Sequence, residues 1–150
     1  MVQGPHAHEF MTEKKKIQLE IVTPEGVCVR EAVDEVEAPG AEGYFGVLPG
    51  HTPFLTELKT GTVRYRIGHD DHLVAVTWGF AEVLPQKVTL LVNTAERAED
   101  IDLQRAESAS ERAKQRLAEF GVAYDVDRAR QEAERAEARL ETARRAQKKT

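Results

Sequence analysis

A β-sandwich followed by an antiparallel two-helix hairpin is the fold class this sequence predicts. Three observations carry that reading. Apolar residues recur with a period of two from Lys16 to about Asn93, the period changes to three and four after Glu99-Asp100, and turn-forming residues separate the short apolar runs. A chain of 150 residues suits one ordinary domain, or a small domain with an appendage. The expected organisation is an extension over 1–15, a sandwich over 16–95 and a helical hairpin over 96–150.

Residues 1–10 include His6-Ala7-His8 and fit neither strand nor helix, and Met11-Thr12-Glu13 makes an equally natural start, so this segment is set apart from the fold. Ile17, Leu19 and Ile21 alternate with Gln18 and Glu20, as in a half-buried strand. After the turn Pro24-Glu25-Gly26 comes a run from Val33 to Glu37; later, Val63, Tyr65 and Ile67 alternate with Thr62, Arg64 and Arg66. Leu73 to Trp78, Phe80 to Val83 and Val88 to Val92 complete the set, bounded by Gly68-His69-Asp70-Asp71 and Leu84-Pro85-Gln86. Short strands so spaced predict two small antiparallel sheets around a core of Val, Ile, Leu, Phe45, Phe54, Tyr65 and Trp78.

Beyond Asp100 the pattern is helical. Ala106, Ala109, Ala113 and Leu117 form one stripe; after Phe120-Gly121, Ala129, Ala133, Ala136, Leu140 and Ala143 form another. Asp100 is the expected cap of the first helix, Gly121 its end, and Asp125 or Asp127 the cap of the second. So short a link folds the helices back on each other. The facing stripes are mostly alanine, which buries far less apolar area than leucine, so each helix is stable by propensity while their mutual hold is weak. Such a pair meets the requirement for an element with two states.

Charge divides the chain in the same place. From Ile101 onward there are twelve Lys and Arg against ten Asp and Glu, leaving nine against sixteen in the first hundred residues. The basic residues are interleaved with acids, and with an overall charge of −5 they make no concentrated patch for nucleic acid. No apolar run approaches the roughly 20 residues that span a bilayer, so direct membrane insertion is not expected. The lone Cys28 excludes an internal disulfide framework and fits a reducing interior. No nucleophile-and-base grouping, metal-ligand spacing or paired carboxylates emerge, so no catalytic residue, metal ligand or required cofactor is assigned.

The densest signal is Gly43-Tyr44-Phe45-Gly46-Val47-Leu48-Pro49-Gly50-His51-Thr52-Pro53-Phe54, in which glycines and prolines dictate tight turns between strand ends. A phosphate-cradling loop needs Gly-Lys-Ser/Thr, and here His51, Thr52 and Pro53 follow the glycine. His51 reads as a turn histidine bonded to backbone. The segment resembles the G-x-[FL]-G-[VI]-[LY]-P-G-H-[AT]-P motif of the epsilon subunits of bacterial and chloroplast F-type ATP synthases. Ile101-Asp102-Leu103-Gln104-Arg105-Ala106 is similar to the [IL]-D-x-x-R-A sequence with which those subunits begin their C-terminal helices. With Gly79-Phe80-Ala81-Glu82-Val83 between them, the resemblance runs from Ile17 to about Ala146.

The resemblance implies a non-catalytic rotor subunit that couples proton-driven rotation to ATP synthesis, peripheral at the cytoplasmic face of the cell membrane. Its sandwich would join the gamma subunit and the c-subunit rotor ring, the ring through Glu42, Gly43, Tyr44, Phe45, Gly46 and nearby His51. Gly46 and Gly50 are expected to use conformations closed to β-branched residues. The C-terminal helices would meet the alpha/beta catalytic hexamer and inhibit ATP hydrolysis. The family pattern also implies a regulatory ATP site at Glu96, Asp102, Arg105, Arg112, Arg135 and Arg139, where acids suit adenine or ribose donors and guanidinium forks suit phosphate. Set against it is a plain i,i+3 pair of Asp102 with Arg105. The competing functions are a free ATP-sensing module, which needs nucleotide binding by the isolated chain, and an unrelated coiled-coil adaptor, which leaves Gly46 to Pro53 without a purpose.

Overall fold

Tight hairpins set the architecture. Ile67 pairs with Asp70 across Gly68-His69, with φ of 64° at Gly68 and a negative φ at His69, the II′ pattern whose twist matches that of the flanking strands. The computed structural model describes residues 15–120 and 126–148. Its strands are β1 (Ile17–Thr23), β2 (Gly26–Val33), β3 (Glu35–Gly40), β4 (Gly43–Val47), β5 (Phe54–Leu58), β6 (Gly61–Ile67), β7 (Asp70–Val76), β8 (Gly79–Val83), β9 (Lys87–Val92) and β10 (Ala95–Arg97). A 3-10 turn over Ala98–Asp100 leads to α1 (Leu103–Phe120) and α2 (Val126–Lys148).

The strands form two layers, β10-β7-β6-β3-β4 and β5-β8-β9-β1-β2, joined at the single pair Gly40 and Leu58. Between them lie Ile17, Leu19, Ile21, Val36, Val63, Tyr65, Val83, Val88 and Leu90, all inaccessible to solvent. On the opposite side Arg97 of β10 bridges the layers, donating to the Tyr65 phenol at 3.3 Å and to the Cys28 carbonyl of β2 at 3.1 Å. Burial, and then Glu31, push the Tyr65 phenol well above its ordinary range, so it stays a neutral member of this bridge.

Three sequence expectations need correction here. The sheets are not wholly antiparallel, because β1 pairs with β9 in parallel from Gln18 and Lys87 to Val22 and Leu91. Trp78 is not core: it precedes inward Gly79, so the strand's alternation turns it outward, where it is 52% exposed. Phe45 and Phe54 are only part-buried and meet edge to face at 5.2 Å.

The helices run antiparallel, as shown by the ion pairs Arg144 with Glu107, Lys114 with Glu137 and Arg116 with Glu132. Their stripes behave as alanine seams, with Ala106, Ala113, Ala136 and Ala143 buried. Asp102, rather than Asp100, caps α1: its carboxylate accepts from the Arg105 amide at 3.1 Å and its carbonyl accepts the first helical bond, from Ala106. Asp100 is taken up by the 3-10 turn. Asp127 stands inside the first turn of α2, while Gly121 and Asp125 lie outside the described residues.

Only α2 sits firmly on the sandwich. It crosses the outer face of the first layer over the cross-strand row Glu96, Ala75 and Thr62. Arg139 pairs with Glu96, and Leu140 and Ala143 share a small apolar cluster with Ala75, Ile101 and Ala106. The Thr142 and Thr62 hydroxyls meet at 2.8 Å in a fully buried contact. α1 packs on α2.

Candidate functional site

Two places gather the expected functional residues, and the first is the groove between the helices. An open groove of about 660 Å³ is lined by Glu96, Asp102, Arg105, Arg112 and Arg139 together with Asp100, Gln104 and Ser108. A second, of about 230 Å³, is lined by Arg112, Arg135 and Arg139 along the seam of Ala109, Ala113 and Ala136. Arg112 and Arg139 line both, whereas of these two grooves Glu96, Asp102 and Arg105 border the first alone and Arg135 the second alone.

Their bonding differs. Glu96 holds Arg139 through both carboxylate oxygens, at 2.7 and 3.4 Å, which fixes that guanidinium at the groove wall. Asp102 places one oxygen on the helix cap, and among the described residues its side chain forms no ion pair with the Arg105 guanidinium, so the i,i+3 contact considered from sequence is made through the Arg105 amide. Arg105, Arg112 and Arg135 are exposed and have no carboxylate partner among the described residues. These guanidiniums share the grooves with the carboxylates of Glu96, Asp100, Asp102 and Glu132, so both signs of charge line the space between the helices. Helical spacing made part of this visible in sequence, since Arg105 and Arg112 lie seven apart and Arg135 and Arg139 four apart.

The second place is the edge strand β4, which pairs only with β3 among the described residues. Glu42, Gly43, Tyr44, Phe45, Gly46 and His51 run from the turn before β4, through the strand, to the loop beyond it. His51 Nδ1 lies 2.6 Å from the Thr52 carbonyl and its amide bonds the Leu48 carbonyl, the backbone role expected of a turn histidine. Gly50, with φ of 87°, needs glycine, but Gly46 has ordinary φ and open space where a Cβ would stand, so the expected constraint holds at only one of the two. Tyr44 leaves about half of its surface in solvent, yet its hydroxyl accepts the Thr62 amide at 3.0 Å.

A third surface escaped the sequence reading. On the outer face of the second layer Phe80, Leu91, Val22 and Val27 are successive cross-strand neighbours, with Phe80 and Leu91 more than half exposed. Trp78 adds to the exposed apolar residues just before β8, and Leu55 of β5 is 75% exposed. The signal was available, because Phe80 and Leu91 occupy the polar phase of strands whose inward phase is Ala81-Val83 and Val88-Leu90. An apolar row on an exposed sheet face is the kind of surface that a partner can cover.

No helix of the described residues is long and apolar enough to cross a membrane. Family models agree with the two-part architecture: the ATP synthase delta/epsilon chain β-sandwich domain matches residues 16–98, and the corresponding long α-helix domain matches 99–144. An ATP synthase epsilon chain of Syntrophobacter fumaroxidans is 54% identical over 129 residues, covering 86% of this chain and 96% of that one. One from Nitratidesulfovibrio vulgaris is 50% identical over 127 residues, covering 85% and 95%. In fold, the chain is similar to a subunit of the Euglena gracilis mitochondrial ATP synthase OSCP/F1/c-ring structure, with a TM-score of 0.71 at 24% identity over 85% of this chain and 81% of that one. The chain belongs to the ATP synthase epsilon chains, the non-catalytic central-stalk subunits of F1Fo ATP synthase.

Proposed function

We propose that the sandwich attaches this subunit to the rotor and that the helical hairpin regulates ATP hydrolysis by leaving its seat. The observation that supports this reading is the contrast in packing: the sandwich has its own aliphatic core, while α2 rests on the first layer through Leu140, alanines, one hydroxyl pair and one ion pair. The apolar row Phe80, Leu91, Val22 and Val27 suits the gamma subunit, and the β4 edge with the His51 loop suits the c-subunit rotor ring. In this arrangement the subunit sits peripherally at the cytoplasmic face of the membrane. Released and laid end to end, helices of about 20 residues would each extend roughly 30 Å, enough to reach the alpha/beta hexamer along the stalk. Deleting everything after Asp100 tests this: the assembled enzyme should hydrolyse ATP faster while keeping synthesis. An engineered disulfide between Ala109 and Ala136, which line the same seam, should abolish inhibition by holding the compact form. Unchanged hydrolysis in both would make the hairpin purely structural.

Regulatory ATP binding in the inter-helix groove is favoured by the three unpaired guanidiniums. Because Arg105 and Arg112 come from α1 and Arg135 from α2, a nucleotide gripping both helices stabilises only the folded hairpin. Calorimetric titration of the full chain should give saturable heat, weakened at least several-fold by Arg135→Ala or Asp102→Ala. No heat at millimolar ATP removes the site.

A further inference from the structure

The edge strand and the seat of α2 are joined by one short chain of hydrogen bonds. The β3–β6 ladder runs Glu35 with Arg66, Val36 with Tyr65 and Glu37 with Arg64, and then stops. The next acceptor on β3, the Pro39 carbonyl, is taken by the Lys59 amide at 2.8 Å. Thr62 N–H therefore turns to a side chain and donates to the Tyr44 phenol of β4 at 3.0 Å. Glycine at position 61 lets the phenol in, since a Cβ there would stand 2.7 Å from the phenol oxygen and 2.9 Å from Pro39 Cβ. The same Thr62, with no exposed surface, presents its hydroxyl to Thr142 of α2, also fully buried.

We propose that Tyr44 is a coupling contact through which a partner bound along β4 loosens α2. This rests on the reading that the β4 edge faces the rotor ring. Tyr44 is half in solvent and within reach of such a partner, whereas Thr62 and Thr142 are out of reach. Drawing the phenol outward strips the Thr62 amide of its acceptor in a buried position, where an unmatched donor is costly, and the start of β6 must shift to find another. That shift parts Thr62 from Thr142. The rest of the α2 seat is Leu140, alanines and one ion pair, so losing one buried contact raises the released population about five- to tenfold. Ring contact thereby favours the released helix, and a subunit without a ring keeps it docked.

Amide hydrogen exchange over residues 138–146 of the full chain is the first measurement. Tyr44→Phe, which removes only the hydroxyl, and Thr142→Val should each speed exchange about five- to tenfold, and the double variant should be no faster than the faster single one. Additive effects, or no acceleration by Tyr44→Phe, overturn the coupling. Gly61→Ala should give the same acceleration by expelling an intact phenol; a variant in which α2 keeps its protection overturns the proposal equally. In the enzyme, Tyr44→Phe should deepen inhibition of hydrolysis more in F1 separated from the ring than in the ring-bound enzyme. Equal changes in both forms count against ring sensing. Should the exchange coupling stand while deletion after Asp100 leaves hydrolysis unaltered, the relay survives and the regulatory reading falls.

Discussion

The sandwich and the hairpin bury residues of different kinds, and the difference sets what each can do. The sandwich core is filled by Ile, Leu, Val and Tyr65, most of them with no solvent exposure, and Arg97 ties its layers across the open side. Each such aliphatic contributes on the order of 1.5–3 kcal/mol on burial, so the domain has one packed arrangement. Among the described residues, the helices bury Ala106, Ala113, Ala136, Ala138 and Ala143 around one large aliphatic, Leu140. One region is a fixed part, and the other has a seat that it can leave.

The sharpest way to break the sandwich alone is Gly79→Val. A Cβ at Gly79 would stand 1.9 Å from the Leu91 carbonyl oxygen, in backbone that cannot swing aside. Loss of at least about 3 kcal/mol is expected, with β8 and β9 losing amide protection first. A variant with unchanged melting temperature would contradict the close approach of these strands.

Leu140→Ala should separate the two regions without damage to the first. Truncating a buried leucine costs about 2–5 kcal/mol where the site cannot collapse, and here the loss falls on docking. Exchange over α2 should rise by two orders of magnitude or more while β1 and β9 keep their protection. Parallel loss in both regions would mean that the hairpin supports the sandwich.

Smaller effects sharpen the edge. Gly50→Ala should cost about 1 kcal/mol, because alanine disfavours φ of 87°, whereas Gly46→Ala should be close to neutral in the isolated chain. Chemical denaturation of the pair distinguishes them; a larger loss at Gly46 would reverse the assignment.

The smallest expected effect is at Asp34, beside the start of β3. Lys16 at 2.6 Å and the Gly68 amide at 2.7 Å hold its carboxyl below the usual carboxylate range. A depressed folded-state pKa stabilises above the unfolded value, and that contribution is lost as pH falls through the folded value. Acid titration from pH 5 downward should therefore destabilise the native chain more than Asp34→Asn; identical profiles would show that the pair contributes nothing.

Period and turn chemistry made the two regions legible, because Ile17-Leu19-Ile21 and the alanine stripes each express one local geometry. What stayed hidden depends on distant partners. The parallel pairing of β1 with β9 leaves no local mark, and the seat of α2 uses Glu96, Ala75 and Thr62, which only the sheet register aligns. Asp102 took the cap because a 3-10 turn absorbed Asp100, a shift below the resolution of pattern. In the candidate groove, the arginines of each helix were readable from spacing, but which of them Glu96 neutralises was not.

The pairing of the first strand with the ninth also has a consequence in time. Gln18 finds its partner only when Lys87 has been made, so the sandwich cannot close until nearly all of its own sequence has left the ribosome. The helices come later still, and their contacts are local, of the kind that form within microseconds. A newborn chain would thus complete its slow, long-range closure before the hairpin exists to interfere, and the hairpin would dock onto a finished surface.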